Sequence, residues 1–463
     1  MIIVKLTGGL GNQMFQYAFA TALSEKLGTE LYLDISYYDR LNIVDLLLNI
    51  GNKTLNSLSK VSYNFNVKYL NDLTNYIHPK HEKYFLDFFN VDNNFITKKE
   101  MKNIDNLNFY HNPDPNNQLK FKDYDNIKLP AHILGLWTSE EYFENYESLI
   151  REKFTFKDKL TGINKDIEND ILNSNSVALH IRRGDFSKRP DIGLSTLNYY
   201  KQGINYISNK IKNPKFFIFS NDPIWVENNI DLDYPSYFVT NNNTPELAHN
   251  DLHLMSLCEN FILANSSFSW WGAWLSNYSN KIIIKPHPWY FNRIPDLSDI
   301  KCKECIQMEN TYRSYFNFSH NSIFKLNFNT TNFNDIIKDT QNTKISYSND
   351  TVNIETLNDK PRIFFNNIIK SSEYNNIVIK LIFKADNDGI LKLLYLTNNN
   401  NIYNDTNSFP INYSKNKIYE VYFPINSNIN LNKIILSPSN KENVRLFIYD
   451  FEIKEIDSNL GFY

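Results

Sequence analysis

Short apolar runs and amphipathic segments alternate along the chain as far as about residue 312. A β-branched run at residues 2–6 predicts a buried strand, and apolar positions at helical spacing over residues 14–27, closed by Gly28, predict a helix. A second series predicts strands at 177–181, 216–220, 261–264 and 282–284, with helices at 197–211, 246–257 and 268–275 between them. Strands that alternate with helices are typical of parallel sheets covered on both faces. The predicted fold class is α/β, with two doubly wound domains, residues 1–160 and 161–312, facing each other across a cleft.

The pattern changes after about residue 312. Asparagine-rich stretches separate short β-type runs at residues 377–384, 390–396, 418–423 and 444–453. Short strands joined by polar turns at this spacing are typical of a β-sandwich. We therefore predict a third, all-β domain over residues 345–463, appended to the α/β pair. One more helix is predicted at 139–154, where Ser139 and two glutamates form an N-terminal signal.

Composition narrows the functional classes. The chain of 463 residues has a formal net charge of −3, which gives no electrostatic basis for binding nucleic acid. Its three cysteines, Cys258, Cys302 and Cys305, are too few for a secreted disulfide scaffold, so a reducing compartment and free thiols are expected. The first apolar run is too short for a signal peptide, and no apolar segment approaches the roughly 18 residues of a spanning helix. We expect a cytoplasmic protein without an integral membrane segment, which leaves peripheral contact with the inner face of the membrane open.

The glycine-rich segment GGLGNQ, residues 8–13, lies between the first predicted strand and helix. Glycines let the backbone approach a ligand closely, and a helix N-terminus offers unpaired N–H groups to an anion or a sugar hydroxyl. The third glycine of the dinucleotide-binding pattern is missing, so a tight structural turn is the competing interpretation. Asn12 and Gln13, two polar residues at the start of an otherwise apolar helix, favour a ligand contact.

The segment HIRRGDF, residues 180–186, follows a buried strand at the edge where open α/β sheets bind ligands. Arg182 and Arg183 can present forked donors to a diphosphate. A transferase that uses a nucleotide sugar needs such donors, because the departing diphosphate gains charge. The alternatives are that the arginines pair with surface carboxylates and that His180 is a satisfied core histidine.

Two further strand ends carry polar groups. The segment NSSFSWW, residues 265–271, combines a hydroxyl-rich turn with a helix start, which again describes a phosphate-binding helix N-terminus. Asp251 lies in the helix predicted before it. The strand at 216–220 ends next to Asp222, whose carboxylate can contact a base or ribose, or cap the following helix.

These segments, in this order, resemble bacterial α-1,2-fucosyltransferases. The resemblance rests on GGLGNQMFQY at 8–17, HIRRGD at 180–185, FSND at 219–222 and NSSFSWW at 265–271. A fifth segment, GLWTSEEYF at 135–143, has Leu-Trp-Thr where a more aromatic, glutamine-bearing version is usual. The resemblance covers about residues 1–300 and does not reach the β region.

The resemblance implies a GT-B-like fold, GDP-fucose as donor, inversion at the anomeric carbon, and no metal or other cofactor. It implies an oligosaccharide or lipid-linked glycan as acceptor, with galactose O2 as the attacked hydroxyl. By the same resemblance Arg182 binds the β-phosphate, His180 and Asp251 contact guanine, and Asn12 faces the sugar or acceptor. Together with the residues derived above, the predicted donor contacts are His180, Arg182, Arg183, Asp222, Asp251, Ser266, Ser267, Phe268 and Asn12.

An inverting transfer also needs a base for the acceptor hydroxyl. Asp185, beside the arginines, is the predicted base and, with Arg182, completes the predicted catalytic pair. Neighbouring positive charge lowers the pKa of a carboxyl group and makes its carboxylate a weaker base, which counts against Asp185 in this role. Glu140 is the alternative, provided that its helix borders the cleft.

Three other hypotheses remain open on the residues alone. A metal-dependent transferase would use an Asp-x-Asp pair, and such tripeptides begin at Asp123, Asp231 and Asp386, though none follows a strand as the arginine segment does. Cys302 and Cys305 have the spacing of half a zinc site, but no second pair is present. The β region has a glycan-binding role as a further option, beside a role in packing or oligomerisation.

Overall fold

The N-terminal part of the chain forms a four-stranded parallel sheet. The computed structural model describes residues 1–38, 83–111, 124, 126–184, 186, 192–230, 232–290, 300, 302–311, 322–326, 337–348, 351–358, 360–365, 376–397, 408–426 and 429–455. The strands are β1 (Ile2–Lys5), β2 (Leu31–Asp34), β3 (Asn108–His111) and β4 (Ala131–Leu134), in the order β2-β1-β4-β3. Helix α1 (Leu10–Leu27) packs on one face of the sheet, and Gly28, with a φ of 58°, forms its left-handed C-cap.

A second parallel sheet has six strands in the order β10-β9-β8-β5-β6-β7. The strands are β5 (Asn175–Ile181), β6 (Pro214–Ser220), β7 (Ser236–Val239), β8 (Asn260–Ile262), β9 (Ile283–His287) and β10 (Cys305–Glu309). Further helices within the described ranges are α2 (Lys98–Met101), α3 (Glu147–Lys153), α4 (Ile163–Leu172), α5 (Leu197–Lys210), α6 (Pro223–Asn229), α7 (Ala248–Ser256) and α8 (Ser267–Leu275). The predicted α/β class with parallel sheets is therefore confirmed.

The two α/β regions share one hydrophobic core, and aromatic rings join them. The ring of Phe15 on α1 lies 4.7 Å from that of Trp270 and 4.9 Å from that of Trp271 on α8 (centroid distances). Phe143 stacks on Trp271 at 5.5 Å. The helix predicted at 139–154 is instead two 3-10 turns followed by α3, because Phe143 leaves helical geometry (φ −143°, ψ 9°) where its ring enters this core.

Over its described residues the C-terminal region is all-β, as predicted, and its strands pair antiparallel. Its sheets have the orders β13-β14-β21-β16-β19, with β11 pairing β21, and β12-β15-β20-β17-β18. The strands are β11 (Ser322–Lys325), β12 (Ile337–Gln341), β13 (Thr343–Ser348), β14 (Thr351–Thr356), β15 (Arg362–Phe365), β16 (Asn376–Ala385), β17 (Gly389–Thr397), β18 (Ser408–Tyr413), β19 (Ile418–Asn426), β20 (Ile429–Ser437) and β21 (Arg445–Glu455). The region has a hydrophobic core of its own. Because β11 pairs with the distant β21, the sheets begin upstream of residue 345, the predicted start of this domain.

The expectation of free thiols at Cys302 and Cys305 is wrong. The two residues form a disulfide with a Cα–Cα distance of 5.4 Å. A turn before β10, in which the Cys305 N–H donates to the Cys302 carbonyl, brings them together. Cys258 is free and fully buried, and burial raises the pKa of its thiol.

Candidate active site

The N-termini of α1 and α8 meet between the two α/β regions. The Ser267 hydroxyl donates to the Oδ1 of Asn12 (2.9 Å), and the Trp271 indole N–H donates to the Gly11 carbonyl (3.0 Å). The backbones are so close that a Cβ at Gly11 would lie 2.7 Å from the Phe268 nitrogen. Each helix N-terminus carries partial positive charge and unpaired N–H groups, so the junction favours an anionic ligand.

Two buried glutamines hold the glycine-rich loop before α1. The Gln16 amide accepts from the Thr7 N–H (2.9 Å) and donates to the Thr7 hydroxyl (2.9 Å) and the Gly135 carbonyl (3.0 Å). Gln13 donates to the Gly8 carbonyl (2.9 Å). Both side chains are fully buried. The loop is thus fixed before any ligand arrives. Gln16 was not singled out from the sequence, although a glutamine inside an apolar helix was the available signal.

His180 lies at the end of β5 with an unsatisfied ring nitrogen. Its side chain is 5% exposed, and within the described part of the chain its Nδ1 has no hydrogen-bond partner. The ring centroid lies 5.8 Å from that of Phe268, at the start of α8. Burial and the Arg182 charge lower the pKa of His180 to about 3, so the ring is neutral near pH 7. Buried polar atoms normally have partners, so an orphaned one next to a helix N-terminus points to a ligand contact.

The two adjacent arginines have different surroundings. Arg183 is 5% exposed, its guanidinium carbon lies 3.7 Å from the Trp225 ring centroid, and its Nε donates to Asp222 (3.4 Å). Arg182 is half-buried, with its guanidinium carbon 5.4 Å from the Phe186 ring centroid. Arg183 therefore supports the strand end through protein contacts, and Arg182 is the better candidate for a ligand.

Asp222 has the capping role that was one of its two predicted alternatives. Its Oδ1 accepts from the Trp225 N–H (3.2 Å) at the start of α6, and its Oδ2 accepts from Arg183. The neighbouring Asn221 accepts from the Arg183 N–H (2.9 Å). These contacts occupy the carboxylate and lock the turn after β6 against the turn after β5.

Asp251, on α7, lies in a buried amide network. It is 8% exposed and accepts from the Asn242 amide (2.9 Å), and Asn242 in turn donates to Asn164 (2.9 Å). Burial raises the pKa of the Asp251 carboxyl to about 7, and the hydrogen bond from Asn242 opposes this only in part. Near neutral pH the carboxyl therefore changes protonation state readily and can act as donor or acceptor towards a ligand.

The Asp251 pKa leads to a stability prediction. Between about pH 4 and 7 the native state holds a proton that the unfolded chain releases, so stability falls as the pH rises. Asp251→Asn, which keeps the acceptor for Asn242, should raise the free energy of unfolding by about 1–3 kcal/mol at pH 8 and by little at pH 4.5. Denaturant unfolding at both pH values checks this, and an equal effect at both would contradict it.

The other predicted carboxylates include residues outside the described ranges and residues of the β region. Asp185 lies outside the described residues, as do both aspartates of the Asp-x-Asp pair that begins at Asp123, and Asp231 of the second pair. In the third pair, Asp386 accepts from the Arg445 N–H (2.8 Å) and Asp388 from the Lys415 N–H (2.6 Å), both within the β region. Over the described ranges, no group of three or more His, Cys, Asp or Glu side chains is placed to hold a metal ion.

Glu140 borders a different cavity, of about 410 Å³, between the 3-10 turns and the C-terminal end of α8. Its carboxylate accepts from the Lys303 N–H (2.7 Å), and burial raises its pKa. Residues 276–279, which follow α8, line the same cavity. Glu140 thus lies at the opposite end of α8 from Ser266 and Ser267, and the structure does not bring it to the candidate site.

The α/β part of the chain matches a known protein family. A family model described as "Glycosyl transferase family 11" matches residues 1–307. The chain belongs to this family. The resemblance inferred from the sequence segments is confirmed at that level. An Escherichia coli alpha-1,2-colitosyltransferase is 33% identical to this chain over 312 residues, which is 63% of this chain and 92% of that protein.

Two further relatives and one solved structure are similar to parts of this chain. The Escherichia coli O-antigen biosynthesis glycosyltransferase WbnK is 30% identical over 62% of this chain and 93% of its own length. Galactoside alpha-(1,2)-fucosyltransferase 1 of Bos taurus is 22% identical over 34% of this chain and 46% of its own. Among solved structures, a family 29 carbohydrate binding module from Piromyces equi covers 25% of this chain and 77% of its own, with 16% identity and a TM-score of 0.20.

The structure of this family 11 protein brings some predicted residues together and separates others. Asn12 contacts Ser267, and His180 lies near Phe268, although they come from opposite ends of the α/β part of the chain. Ser266 is the N-cap of α8 with no side-chain capping bond of its own. Gly11 and Trp271, which join the helices, were not predicted as site residues. Their role depends on a helix–helix approach that no local pattern encodes.

Proposed function

We propose that this family 11 glycosyltransferase transfers L-fucose from GDP-fucose to a glycan hydroxyl, with inversion at the anomeric carbon. The proposed acceptor position is galactose O2, giving an α-1,2 linkage on a surface glycan or its precursor. The observation that supports the proposal is the unsatisfied Nδ1 of buried His180 at the end of β5, in a ring whose centroid lies 5.8 Å from that of Phe268 at the start of α8. A neutral ring nitrogen suits a nucleobase or ribose contact, and the adjoining helix N-termini suit a diphosphate.

Arg182 and the two helix N-termini have the main catalytic role in this proposal. As the glycosidic bond breaks, negative charge grows on the GDP diphosphate, and preorganised donors that meet this charge lower the barrier. The Ser266 hydroxyl and the N–H groups of α8 are such donors. The Ser267 hydroxyl donates its proton to Asn12 and holds that side chain where the sugar is proposed to lie. The proposed GT-B arrangement places the two parallel sheets on either side of this junction. Asp185 stays a predicted base.

The most specific part of the proposal is the identity of the donor sugar. One relative is named for colitose, the 3-deoxy counterpart of L-fucose, and others for fucose. The competing hypothesis is therefore a different GDP-linked 6-deoxy sugar in the same site. The two donors share the nucleotide, so the contacts of His180 and Arg182 serve either one.

A donor panel tests the proposal. Purified protein is incubated with GDP-fucose, GDP-colitose, GDP-mannose and UDP-galactose, with a galactose-terminated acceptor, and GDP or UDP release and product mass are measured. Transfer from GDP-fucose that persists in EDTA is expected, since Arg182 and the helix N-termini neutralise the diphosphate. Transfer only from GDP-colitose would replace the donor. A requirement for added manganese would favour the Asp-x-Asp mechanism.

The location of the reaction stays a prediction. No helix within the described ranges is long and apolar enough to cross a bilayer. We propose a cytoplasmic enzyme that meets lipid-linked acceptors by peripheral contact at the inner face of the membrane. Flotation of the purified protein with acceptor-containing liposomes measures this contact.

The separate core of the β region leads to a truncation prediction. The polar, weakly patterned stretch 317–349 would place the cut near Asp339 on sequence grounds, but that position lies inside β12. We therefore place the cut after Thr311, downstream of β10 and upstream of β11. The shortened protein should stay folded, bind GDP and transfer sugar to a disaccharide. If the β region binds glycan, the apparent KM should rise more for long acceptors than for the disaccharide, because effective concentration is lost. An insoluble product, or one that does not bind GDP, would show that the β region stabilises the catalytic part.

A further inference from the structure

Four titratable side chains, one from each strand, lie together on the N-terminal sheet. They are Lys5 (β1), Asp34 (β2), His132 (β4) and His111 (β3). The register pairs Lys5 with Asp34, and Phe109 with His132. Alternate residues such as Val4, Leu33 and Ile133 belong to the core that includes α1. Because side chains alternate between the two faces of a strand, the titratable group occupies the face away from α1.

Three of these groups form a continuous hydrogen-bonded chain. The Nε2 of His132 lies 3.0 Å from the Oδ2 of Asp34, and its Nδ1 lies 2.7 Å from the Nε2 of His111. Asp34 also accepts from the Ser36 N–H (2.9 Å). A carboxylate only accepts, so His132 must donate from Nε2 and accept at Nδ1. His111 must then donate from Nε2, which leaves the lone pair of its Nδ1 as the outer end of the chain.

The hydrogen-bonded series of Asp34, His132 and His111 runs from the protein interior to its surface. Asp34 is 2% exposed and His132 is 3% exposed, whereas His111 is exposed. Burial alone would raise the pKa of Asp34, but the hydrogen bonds from His132 and Ser36 and the charge of Lys5 outweigh it and lower the pKa to about 2. The inner end therefore stays ionised at all working pH values. Among the described residues, nothing bonds the outer Nδ1 of His111.

The exposed end lies on the functional edge of the sheet. All four strands are parallel, so their carboxyl ends share one edge, and Lys5, Asp34 and His111 are the last residues of their strands. The glycine-rich loop leaves β1 at this edge, and the Tyr38 hydroxyl, just after β2, donates to the Gly8 carbonyl (3.0 Å). Ligands of open α/β sheets bind at this edge. The hydrogen-bonded series thus opens at the edge from which α1 begins, on the face of the sheet away from α1.

An exposed aromatic ring accompanies the histidine. Phe109 is 63% exposed, and its ring centroid lies 5.4 Å from that of His111 and 5.5 Å from that of His132. The face of a pyranose that carries its C–H groups is apolar and packs on aromatic rings, which offer a large rigid surface. An exposed phenyl ring beside an exposed imidazole therefore suits a sugar whose hydroxyl reaches the imidazole.

We propose that His111 is the base that takes the proton of the acceptor hydroxyl, backed by a relay through His132 to Asp34, with Phe109 supporting the acceptor sugar. This inference rests on the proposed transfer reaction. The acceptor oxygen bonds to the anomeric carbon, and the bond from that carbon to the diphosphate oxygen breaks with its electron pair left on GDP. The hydroxyl proton moves to the Nδ1 of His111. His111 can then pass its Nε2 proton to His132, whose positive charge the Asp34 carboxylate balances.

The relay implies a specific pH dependence. The groups that face His111 are His132, Asp34, Lys5 and the uncharged Phe109. Partial desolvation of the His111 ring against the sheet, with the charges of His132 and Lys5, lowers its pKa below the ordinary 6.5, while Asp34 opposes the shift. The base must be neutral to act, so kcat/KM should be constant near pH 7 and fall as the pH drops through this lowered pKa.

The test compares variants along the chain. His111→Gln keeps a donor towards His132 but has no base, and should lower kcat for transfer by about 10²- to 10⁴-fold, with GDP affinity by calorimetry unchanged. His111→Ala should regain activity in added imidazole. Asp34→Asn, which acts through His132, should lower kcat more than KM and move the acidic limb of the pH profile. His249→Gln, whose ring stacks on Phe88 in another part of the fold, is the matched control and should keep its activity.

Each outcome decides one point. Near-normal transfer by His111→Gln, or a loss of GDP binding together with transfer, overturns the relay and leaves these residues as a structural network. If Asp185→Asn removes the acidic limb while His111→Gln retains it, Asp185 is the base. Transfer assays on the wild-type protein distinguish a failure of this inference from a failure of the proposed donor. Transfer from another GDP-sugar changes the donor and leaves the variants informative, whereas no transfer from any nucleotide sugar overturns both.

Discussion

Arg182→Ala should abolish transfer while the protein stays folded. The guanidinium lies half-buried at the end of β5, beside the orphaned ring nitrogen of His180. Removal of one preorganised donor to a transition-state charge typically costs about 10²- to 10³-fold in rate. Arg182→Lys should also fail, because a point charge does not replace a planar, forked donor on a diphosphate. GDP release under saturating acceptor measures both effects.

Arg183→Ala is the matched control for this prediction. Arg183 is buried, stacks on Trp225 and pairs with Asp222, so its removal leaves a cavity and removes the cationic partner of that carboxylate. We expect a larger fall in melting temperature for Arg183→Ala than for Arg182→Ala, because Arg183 is the more deeply buried of the two. If Arg183→Ala loses transfer at full stability while Arg182→Ala does not, the roles of the two arginines must be exchanged.

Gly11→Ala should unfold or loosen the junction between the two α/β regions. A Cβ at Gly11 would lie 2.7 Å from the Phe268 nitrogen and 2.7 Å from the Ser267 carbonyl carbon. Backbone atoms cannot yield as a flexible side chain does, so α8 would have to move away from α1. We expect a loss of about 1–3 kcal/mol in the free energy of unfolding and a loss of transfer. This expected loss in the free energy of unfolding is opposite in sign to the usual effect, because Gly→Ala inside a helix normally stabilises a protein by up to about 1 kcal/mol.

Gly9→Ala provides the control two residues away. Its added Cβ would meet nothing within 4 Å, and its φ of −78° suits any residue. We expect a change within about 1 kcal/mol, since only the N-cap preference is altered. Thermal melting and GDP affinity of the two variants separate a packing constraint from a general need for glycine in this loop. Equal effects at both positions would show that the helix–helix approach is not what Gly11 serves.

Several parts of the molecule could be predicted from local pattern alone. Alternating apolar runs and helical periodicities specify the parallel sheets, because each element buries one face and the period of its apolar positions reports its type. Short strands and polar turns specify the β region in the same way. The five ordered segments are sufficient to indicate the family of the α/β part. All of these signals lie within a few consecutive residues.

Other features depended on contacts between distant residues. Asn12 and Ser267 are 255 positions apart in the chain, and only the approach of α1 to α8 makes them neighbours. Arg182 and Arg183 are adjacent, yet Trp225 and Asp222 bury one and leave the other half-exposed. Asp34, His111 and His132 show no pattern in the sequence, and become a chain only because strand order β2-β1-β4-β3 aligns them. Local sequence specifies which elements form, and tertiary packing decides which polar groups meet, since strand order and helix approach are set by burial of the whole core.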